Sequence, residues 1–177
     1  MSTKTFIAVN EYLHASFEGS DCDYLDGEVV ERNMGELPHS LVQTELIYLF
    51  RQMATQLGLQ VRAEIRIQIS PTRYRVADIG VWRSGNIGKQ VPTVPPLLVV
   101  EVLSPEDRLV RVQPKVQEYL SIGVRSVWVV DPDEKLAMEY SQHHPGGLLV
   151  QLLRTEEPLM EIALADVWRQ LDESSAL

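Results

Sequence analysis

The sequence predicts an α/β protein in which helices cover a sheet of mixed strand direction. Three observations carry this prediction. Segment 40–57 repeats its apolar residues at helical spacing, and segment 61–69 alternates apolar with polar residues, as a half-buried strand does. The run 97–103 is almost wholly apolar, which is typical of a strand covered on both faces. The length of 177 residues fits one domain, and we expect a single domain over 1–177.

The N-terminal part of the chain is predicted to hold short elements. Residues 4–15 favour a short helix, residues 18–26 an acidic turn and residues 27–32 a strand. The long helix 40–57 follows, and Gly58 marks its C-terminal end. Its apolar residues share one face: Val42, Leu46, Leu49, Phe50, Met53 and Leu57. This helix is therefore expected to pack that face on a core.

Three strands are predicted after the long helix. The first is the alternating segment 61–69, and Pro71-Thr72 begins the turn to a second strand over 76–82. A loop rich in glycine and proline over 84–96 leads to the third strand, 97–103.

A second helix and further strands complete the prediction. The helix spans 114–122, because proline is accepted at the first helical position but disrupts a helix that begins earlier. An apolar strand over 126–130 follows, and 136–140 pairs with 148–153 as a terminal hairpin around Pro145-Gly146-Gly147. The central order is therefore helix, three strands, helix, strand.

The charge of the chain is distributed unevenly. The total of 16 Lys and Arg against 25 Asp and Glu gives a net charge of −9, which argues against a strongly basic nucleic-acid binder. Residues 51–125, however, carry 11 basic and 6 acidic groups, whereas 1–38 and 126–177 are acidic. Two interpretations of the arginines in this middle segment stay open, a solvated sheet face or a phosphate-facing patch. These arginines are Arg62, Arg66, Arg73 and Arg75.

The hydropathy of the chain and its single cysteine exclude several classes of protein. No uncharged stretch is long enough to cross a bilayer, and the N-terminus lacks the apolar region of a secretory signal, so we expect a cytoplasmic protein without a membrane partner. Cys22 is the single cysteine, which rules out an internal disulfide and a thiolate zinc site. Its neighbours Asp21 and Asp23 would raise the pKa of its thiol, which argues against a catalytic cysteine.

Two carboxylates interrupt apolar strands. Asp78 lies within Val76-Ala77-Asp78-Ile79, and Glu101 within Val99-Val100-Glu101-Val102. A buried carboxylate is costly unless it is paired, hydrogen-bonded or bound to a metal. Taken singly, Asp78 is explained by bonds to loop amides and Glu101 by an ion pair with an arginine. Taken together, they are the oxygen ligands that Mg²⁺ prefers, and neighbouring strands can bring them into one site.

Three further residues are candidates for the same site. Lys115 begins the second helix and shares one face with Tyr119, so its ammonium group could stabilise charge in a phosphodiester transition state. Glu28 follows a turn, and His39 stands at the start of the long helix, where it could bind a metal or move a proton. Each also has an ordinary interpretation as a solvated surface residue.

These residues resemble a known family, the Uma2 family of endonuclease-like proteins within the PD-(D/E)XK nuclease superfamily. The resemblance covers roughly residues 11–153. The matching segments are Asp26-Gly27-Glu28-Val29-Val30-Glu31, His39 with the long helix, Val76-Ala77-Asp78-Ile79, Val99-Val100-Glu101-Val102-Leu103-Ser104-Pro105, Lys115 to Tyr119, and Gly123-Val124 leading to Val127-Trp128-Val129-Val130-Asp131-Pro132.

The resemblance implies a restriction-endonuclease-like core of helix, three strands, helix and strand, with an extra N-terminal helix and a C-terminal hairpin. It also implies that Asp78 and Glu101 bind a divalent metal, Mg²⁺ or Mn²⁺. In the superfamily the catalytic lysine lies two residues after the glutamate, a position that Leu103 occupies here. The role would therefore pass to Lys115, with Glu28 and His39 completing the pocket.

The function predicted in this way is a Mg²⁺-dependent endonuclease acting on DNA. The alternative is a non-catalytic module that binds nucleic acid or a partner and keeps the nuclease fold, favoured by Leu103 and by the net acidity. We also expect a homodimer, for which the apolar segment 97–103 or the region of Trp128 would offer a surface. Binding to DNA is expected to be weak and sensitive to salt.

Overall fold

A computed structural model describes residues 5–33, 35–105 and 109–175 of this chain. Helices and strands alternate along the described residues. The helices are α1 (Val9–His14), α2 (Leu37–Leu57), α3 (Leu109–Ser121) and α4 (Leu164–Ser175). The strands are β1 (Thr5–Phe6), β2 (Asp23–Leu25), β3 (Glu28–Val30), β4 (Leu59–Ser70), β5 (Arg73–Arg83), β6 (Leu98–Val102), β7 (Ser126–Asp131), β8 (Leu136–Ser141), β9 (Leu148–Val150), β10 (Leu152–Thr155) and β11 (Met160–Ala163).

One mixed sheet organises the molecule. Its strands follow the order β1-β3-β2-β5-β6-β7-β8-β9, with β4 paired along β5, while β10 and β11 form a separate antiparallel pair. Strands β6 and β7 are parallel and are joined through α3, whereas the other pairs of the sheet are antiparallel. The mixed strand direction predicted from the sequence is therefore present.

Strand β5 has three partners, and this crowding opens a gap in the sheet. Strand β4 pairs along the length of β5, so β2 and β6 share the opposite edge. Strand β2 pairs there at Tyr24–Tyr74 and β6 begins to pair only at Ile79–Val100. Between these two contacts the backbone of Val76 bonds to side chains instead, because buried amide and carbonyl groups require partners. Its N–H donates to Asp23 Oδ1 at 2.7 Å, and its carbonyl accepts from Lys115 Nζ at 2.7 Å.

Two hydrophobic cores cover the two faces of the sheet. Helices α2 and α4 pack on one face, where Phe50 stacks on Trp128 with ring centroids 5.7 Å apart. Helix α3 packs on the other face through Val116 and its neighbours. Strand β6 alternates between these cores, as a strand covered on both faces must. The continuous apolar run in the sequence is explained by this double coverage.

The long helix of the sequence is confirmed, but the start predicted for the second helix is wrong. Helix α3 begins at Leu109 and contains Pro114 in its interior. Proline has no N–H to donate to the carbonyl of residue 110, which is why a helical start at 114 was expected. The apolar residues Val112, Val116 and Leu120 lie on one buried face and continue the helical repeat through the proline. Burial of that face outweighs the lost hydrogen bond.

Some elements were missed by the sequence analysis. The acidic segment 18–26 was expected to be a turn, yet it contains β2. The predicted hairpin partner 148–153 is divided between β9, which pairs with β8, and β10, which pairs with β11. Helix α4 was not predicted, although Leu164, Val167 and Leu171 are spaced for one buried helical face.

The surface expected for a homodimer is buried inside the chain. Val99, Val100 and Trp128 have no exposed surface, and Leu103 is also buried. Association through the segment 97–103 or through Trp128 is therefore wrong, because these side chains already pack in the two cores. The homodimer itself stays a prediction. Among the described residues, no helix combines the length and apolarity needed to cross a membrane.

Candidate active site

A cavity of about 300 Å³ lies at the gap between β2 and β6. Four of the residues singled out in the sequence border it: His39, Asp78, Glu101 and Lys115. Glu28 is not among the residues that line the cavity, although Val30, at the other end of the same strand, does. The structure thus brings together four of the five candidate residues.

The sheet register places the two carboxylates side by side. Strands β5 and β6 pair from Val81–Leu98 to Ile79–Val100, and Asp78 and Glu101 are the next residues of the two strands beyond this last pair. The backbone N–H of Val102 donates to Asp78 Oδ2 at 2.7 Å, which ties the aspartate to the neighbouring strand. The 23 positions that separate the two residues in the chain are therefore bridged by strand pairing.

Asp78 is held as an anion by two basic side chains. Arg32 donates through Nη2 to Asp78 Oδ1, and His39 Nε2 lies 3.5 Å from Asp78 Oδ2. Burial opposes ionisation, but the bond from His39 and the positive charge of Arg32 outweigh it and lower the pKa of Asp78 to about 2. Burial likewise opposes protonation of His39, and its bond to Asp78 outweighs that effect, so the pKa of His39 is raised.

Glu101 has a different environment. Lys115 Nζ donates to its Oε2 at 2.7 Å, and the hydroxyl of Tyr119 donates to its Oε1 at 2.9 Å. Burial raises the pKa of Glu101 to about 7, against the opposing charge of Lys115. Burial and the neighbouring Glu101 also raise the pKa of Tyr119 well above its usual value. The two carboxylates of this site thus have pKa values that are pushed apart.

Helix α3 supplies the lysine that β6 lacks. Leu103, at the position where the superfamily has its lysine, is buried in the core beneath α3. Lys115 reaches Glu101 from the helix instead, and its second bond to the carbonyl of Val76 fixes the direction of the ammonium group. Pro114 therefore does not turn Lys115 away from the cavity.

Arg32 is the site residue that the sequence analysis missed. It follows β3, lines the cavity and bridges Asp78 to Glu64, whose Oε2 lies 2.6 Å from Arg32 Nη1. In the chain, Asp78 lies 46 positions from Arg32 and Glu64 lies 32 positions from it. No local spacing could therefore reveal the bridge. The one available signal was a single arginine within the otherwise acidic segment 5–38.

Glu64 is a further carboxylate beside Asp78. Ala63 pairs with Ile79 and Ile65 with Ala77, so Glu64 lies opposite Asp78 in strand β4. Its φ of 46° is in the left-handed region, which is costly for a residue other than glycine and interrupts the ladder locally.

The side chain of Gln43 restores the bonding at this interruption. Its amide donates to the carbonyl of Asp78 at 3.0 Å and to Glu64 Oε1 at 2.7 Å. An N–H from helix α2 thus replaces the missing ladder bond, and the same amide holds the carboxylate of Glu64 in place.

The arginines of the basic middle segment are mostly neutralised within the chain. Three of them pair with carboxylates of the N-terminal segment: Arg66 with Asp21, Arg73 with Asp26, and Arg75 with Asp23. Both Arg73 and Arg75 also bond to Glu118 of α3. The phosphate-facing patch left open by the sequence is therefore wrong for these three, whereas Arg62 bonds to Gln60 and the carbonyl of Val61 on an exposed face.

The donor set of the cavity fits a hard divalent cation. Asp78 and Glu101 offer carboxylate oxygens, and Mg²⁺ is commonly held by one or two carboxylates together with water and substrate phosphate. Each ionised carboxylate has about four lone-pair sites, more than the bonds that it accepts here from the chain. Within the described residues, no group of three or more His, Cys, Asp and Glu side chains is arranged to hold a metal. Asp78 and Glu101 are therefore a candidate pair of ligands, not a complete coordination shell.

Cys22 takes no part in this arrangement. It is 4% exposed, and burial raises the pKa of its thiol. A buried thiol with a raised pKa is a poor nucleophile, as its acidic neighbours in the sequence led us to expect.

Comparison with solved structures bears on the fold. The chain is similar to a putative nuclease belonging to DUF820 from Anabaena variabilis ATCC 29413, with a TM-score of 0.78 and 20% sequence identity. The similarity covers 93% of this chain and 99% of that chain. At this identity the likeness shows the fold alone, and it confirms the predicted mixed α/β architecture.

Comparison with protein families bears on the ancestry of the chain. A search of curated proteins gave no match. The Uma2 family, described as "Putative restriction endonuclease", matches residues 9–172. The match spans nearly the whole sequence and includes both carboxylates, His39 and Lys115. This chain therefore belongs to the Uma2 family.

Proposed function

We propose that this protein is a metal-dependent endonuclease that hydrolyses phosphodiester bonds of DNA. The single observation that carries the proposal is that Asp78 and Glu101 line one cavity, with Lys115 bonded to Glu101 at 2.7 Å. Carboxylates that can hold a divalent cation and a fixed ammonium group are the parts that metal-assisted phosphodiester hydrolysis uses. Membership of the Uma2 family supports the same reaction class.

Asp78 and Glu101 would hold Mg²⁺ or Mn²⁺ in this mechanism. When bound, such an ion polarises the phosphoryl oxygen and lowers the pKa of the attacking water. Asp78, with its pKa of about 2, is ionised at neutral pH and provides a permanent negative charge. His39 orients that carboxylate from the first turn of α2.

Lys115 acts on the charge that develops at the phosphate. An ammonium group has three donors, and two of those of Lys115 serve Glu101 and the carbonyl of Val76. The third donor can turn to a phosphate oxygen in the cavity and stabilise the transition state. Because the first two bonds fix the group in advance, little reorganisation is needed at the moment of reaction.

Cleavage assays on isosteric variants test this function. The purified protein should cut linear or supercoiled DNA with Mg²⁺ or Mn²⁺ and should stop when the metal is chelated. Asp78→Asn and Glu101→Gln should each lower the rate by about 100-fold or more. Asp166→Asn removes an exposed carboxylate far along the chain, on α4, and should leave the rate unchanged.

A folded protein that cuts neither DNA nor RNA under these conditions would contradict the proposal. Circular dichroism on each variant must accompany the assay, because both carboxylates are buried and their substitution can disturb folding. Cleavage that survives both substitutions would place the reaction at another site.

A second candidate function is a non-catalytic module that binds DNA or a partner. One observation favours it: the chain neutralises both carboxylates by itself, Asp78 through Arg32 and Glu101 through Lys115. A site that is balanced without a metal has a weaker electrostatic demand for one. Calorimetry with Mn²⁺ separates the candidates, since the absence of binding by the folded protein favours the non-catalytic module.

DNA as the partner and a homodimer as the assembly belong to the same proposal. The dimer would have to use a surface other than segment 97–103, and sedimentation equilibrium at several protein concentrations tests its existence. A single species of 20.1 kDa throughout would contradict it.

A further inference from the structure

Arg32 sits between two carboxylates at the edge of the cavity. Its Nη2 donates to Asp78 and its Nη1 to Glu64 at 2.6 Å, so one guanidinium group serves two anions. The two anions differ in their surroundings, because the side chain of Asp78 is 2% exposed and that of Glu64 is 43% exposed. Arg32 thus connects a buried carboxylate to one at the surface.

A dication at Asp78 and this guanidinium group would compete for the same oxygens. Asp78 Oδ2 already accepts a hydrogen bond from the backbone N–H of Val102. Oδ1, which Arg32 contacts, is therefore the oxygen that is more open to a metal ion. Two positive centres at one carboxylate repel each other strongly in a buried site. Binding of a divalent cation by Asp78 therefore requires Arg32 to withdraw.

Arg32 has a place to withdraw to, and Lys115 does not. The bond from Nη1 to Glu64 can persist when Nη2 leaves Asp78, so the guanidinium group keeps a paired anion throughout. Gln43 donates to Glu64 Oε1 at 2.7 Å and holds this second anion in position. Lys115, by contrast, has its bonds to Glu101 and Val76 within the cavity wall itself.

We infer that Arg32 is an exchangeable counter-ion of Asp78, which a divalent metal displaces onto Glu64. The inference rests on the proposed function, because it takes Asp78 as a metal ligand. In the metal-free protein Arg32 stabilises the buried aspartate, and in the metal-bound protein Glu64 receives the displaced guanidinium group. Arg32 and Glu64 are thus positioning residues that set the affinity for the metal.

Calorimetric titration with Mn²⁺, without DNA, tests this exchange. Arg32→Gln removes the competitor and should bind Mn²⁺ about tenfold more tightly than the wild type, while its metal-free melting temperature falls. Glu64→Gln removes the receiving anion and should bind Mn²⁺ about tenfold more weakly. The matched control is Arg62→Gln, the same change at an exposed arginine of β4, which should leave the affinity unchanged.

The double variant Arg32→Gln/Glu64→Gln makes the test specific. Because Glu64 acts through Arg32, its substitution should have no further effect once Arg32 is gone, and the double variant should bind like Arg32→Gln. If Arg32→Gln does not fold, Glu64→Gln carries the test, since Glu64 is half exposed and its loss leaves Asp78 paired.

The outcomes separate this inference from the proposed function. Affinities that are equal in the wild type and Glu64→Gln, or weaker in Arg32→Gln, would overturn the exchange while leaving the metal centre intact. If neither the wild type nor any variant binds Mn²⁺, the metal centre of the proposed function fails and the exchange fails with it.

Discussion

At the scale of single residues, buried charge is the main feature of the site. Asp78 and Glu101 lie among mostly apolar buried residues of the sheet, and each is stabilised by partners from a different element. Asp78 bonds to Arg32, which precedes α2, and to His39 in the first turn of α2. Glu101 bonds to Lys115 and Tyr119 of α3. This division explains why one pKa is lowered and the other raised.

Tyr119→Phe tests the contribution of the tyrosine hydroxyl. The substitution removes the buried bond of 2.9 Å to Glu101 and leaves one carboxylate oxygen with fewer partners. We expect the free energy of unfolding to fall by about 2 kcal/mol, because a buried acceptor loses its hydrogen bond. Urea unfolding followed by circular dichroism measures this change.

Tyr48→Phe is the matched control for that substitution. Tyr48 is 56% exposed on α2, and its change should alter the free energy of unfolding by less than about 0.5 kcal/mol. Equal effects of the two substitutions would show that the bond to Glu101 adds nothing.

At the scale of elements, α3 is the part that assembles the site. It crosses from β6 to the parallel strand β7, so it must lie over the face to which Glu101 points. One helical surface then carries Lys115, Glu118 and Tyr119 toward the sheet. Glu118 accepts from Arg73 and Arg75 of β5 and fastens the helix there, beside the gap that holds the cavity.

Glu118→Gln tests this attachment. The change removes one of the two carboxylates that bond to each of Arg73 and Arg75, whose side chains are 31% and 13% exposed. We expect the free energy of unfolding to fall by about 2 kcal/mol, because two partly buried arginines each lose one charged hydrogen bond. Thermal and urea unfolding at neutral pH provide the measurement.

The exposed pair of Asp166 and Arg169 supplies the control at this scale. Asp166→Asn breaks an ion pair in which both side chains are more than half exposed, and such pairs contribute about 0 to 1 kcal/mol. If Glu118→Gln destabilises the protein no more than Asp166→Asn does, α3 is held by its apolar face alone.

At the scale of the whole molecule, the uneven charge of the chain is resolved by pairing. Asp21, Asp23 and Asp26 of the acidic N-terminal segment bond to Arg66, Arg75 and Arg73 of the basic middle segment, so these three arginines are neutralised within the chain. The net charge of −9 of the whole chain then opposes the approach of DNA. Electrostatic attraction to DNA should therefore be weak outside the cavity.

The salt dependence of DNA binding tests this conclusion. In the absence of metal, we expect log K against log salt to have a slope shallower than about −4, because each neutralised phosphate contributes about −0.9. Fluorescence anisotropy of a labelled duplex between low and physiological salt measures the slope. A slope as steep as that of a basic DNA-binding protein would contradict the internal pairing.

Asp26→Asn tests how added positive charge changes the salt dependence of DNA binding. The side chain of Asp26 is 54% exposed, so its neutralisation makes the surface more positive by one charge without opening the core, and Arg73 keeps Glu118 as a partner. The slope should steepen by about one phosphate contact. An unchanged slope would mean that Arg73 faces away from bound DNA.

Much of the fold could be predicted because it depends on local patterns. The helical repeat around Phe50, the alternation around Ile67 and the apolar run around Val100 each encode which face is buried. Pro114 misled the prediction of α3, since local helix propensity was weaker than the burial of Val116 and its neighbours. Short strands such as β2 carry too few residues for a pattern.

That Asp78 and Glu101 need partners follows from the sequence, because a carboxylate in an apolar strand cannot stay unpaired. The sequence also identified Lys115, from the helical spacing that aims it at the end of the strand. Which residues serve as these partners depends on the tertiary structure. The bridge of Arg32 from Asp78 to Glu64 joins segments far apart in the chain, and the left-handed φ of Glu64 arises where strand pairing is interrupted. Such contacts depend on sheet register, which a single sequence does not contain.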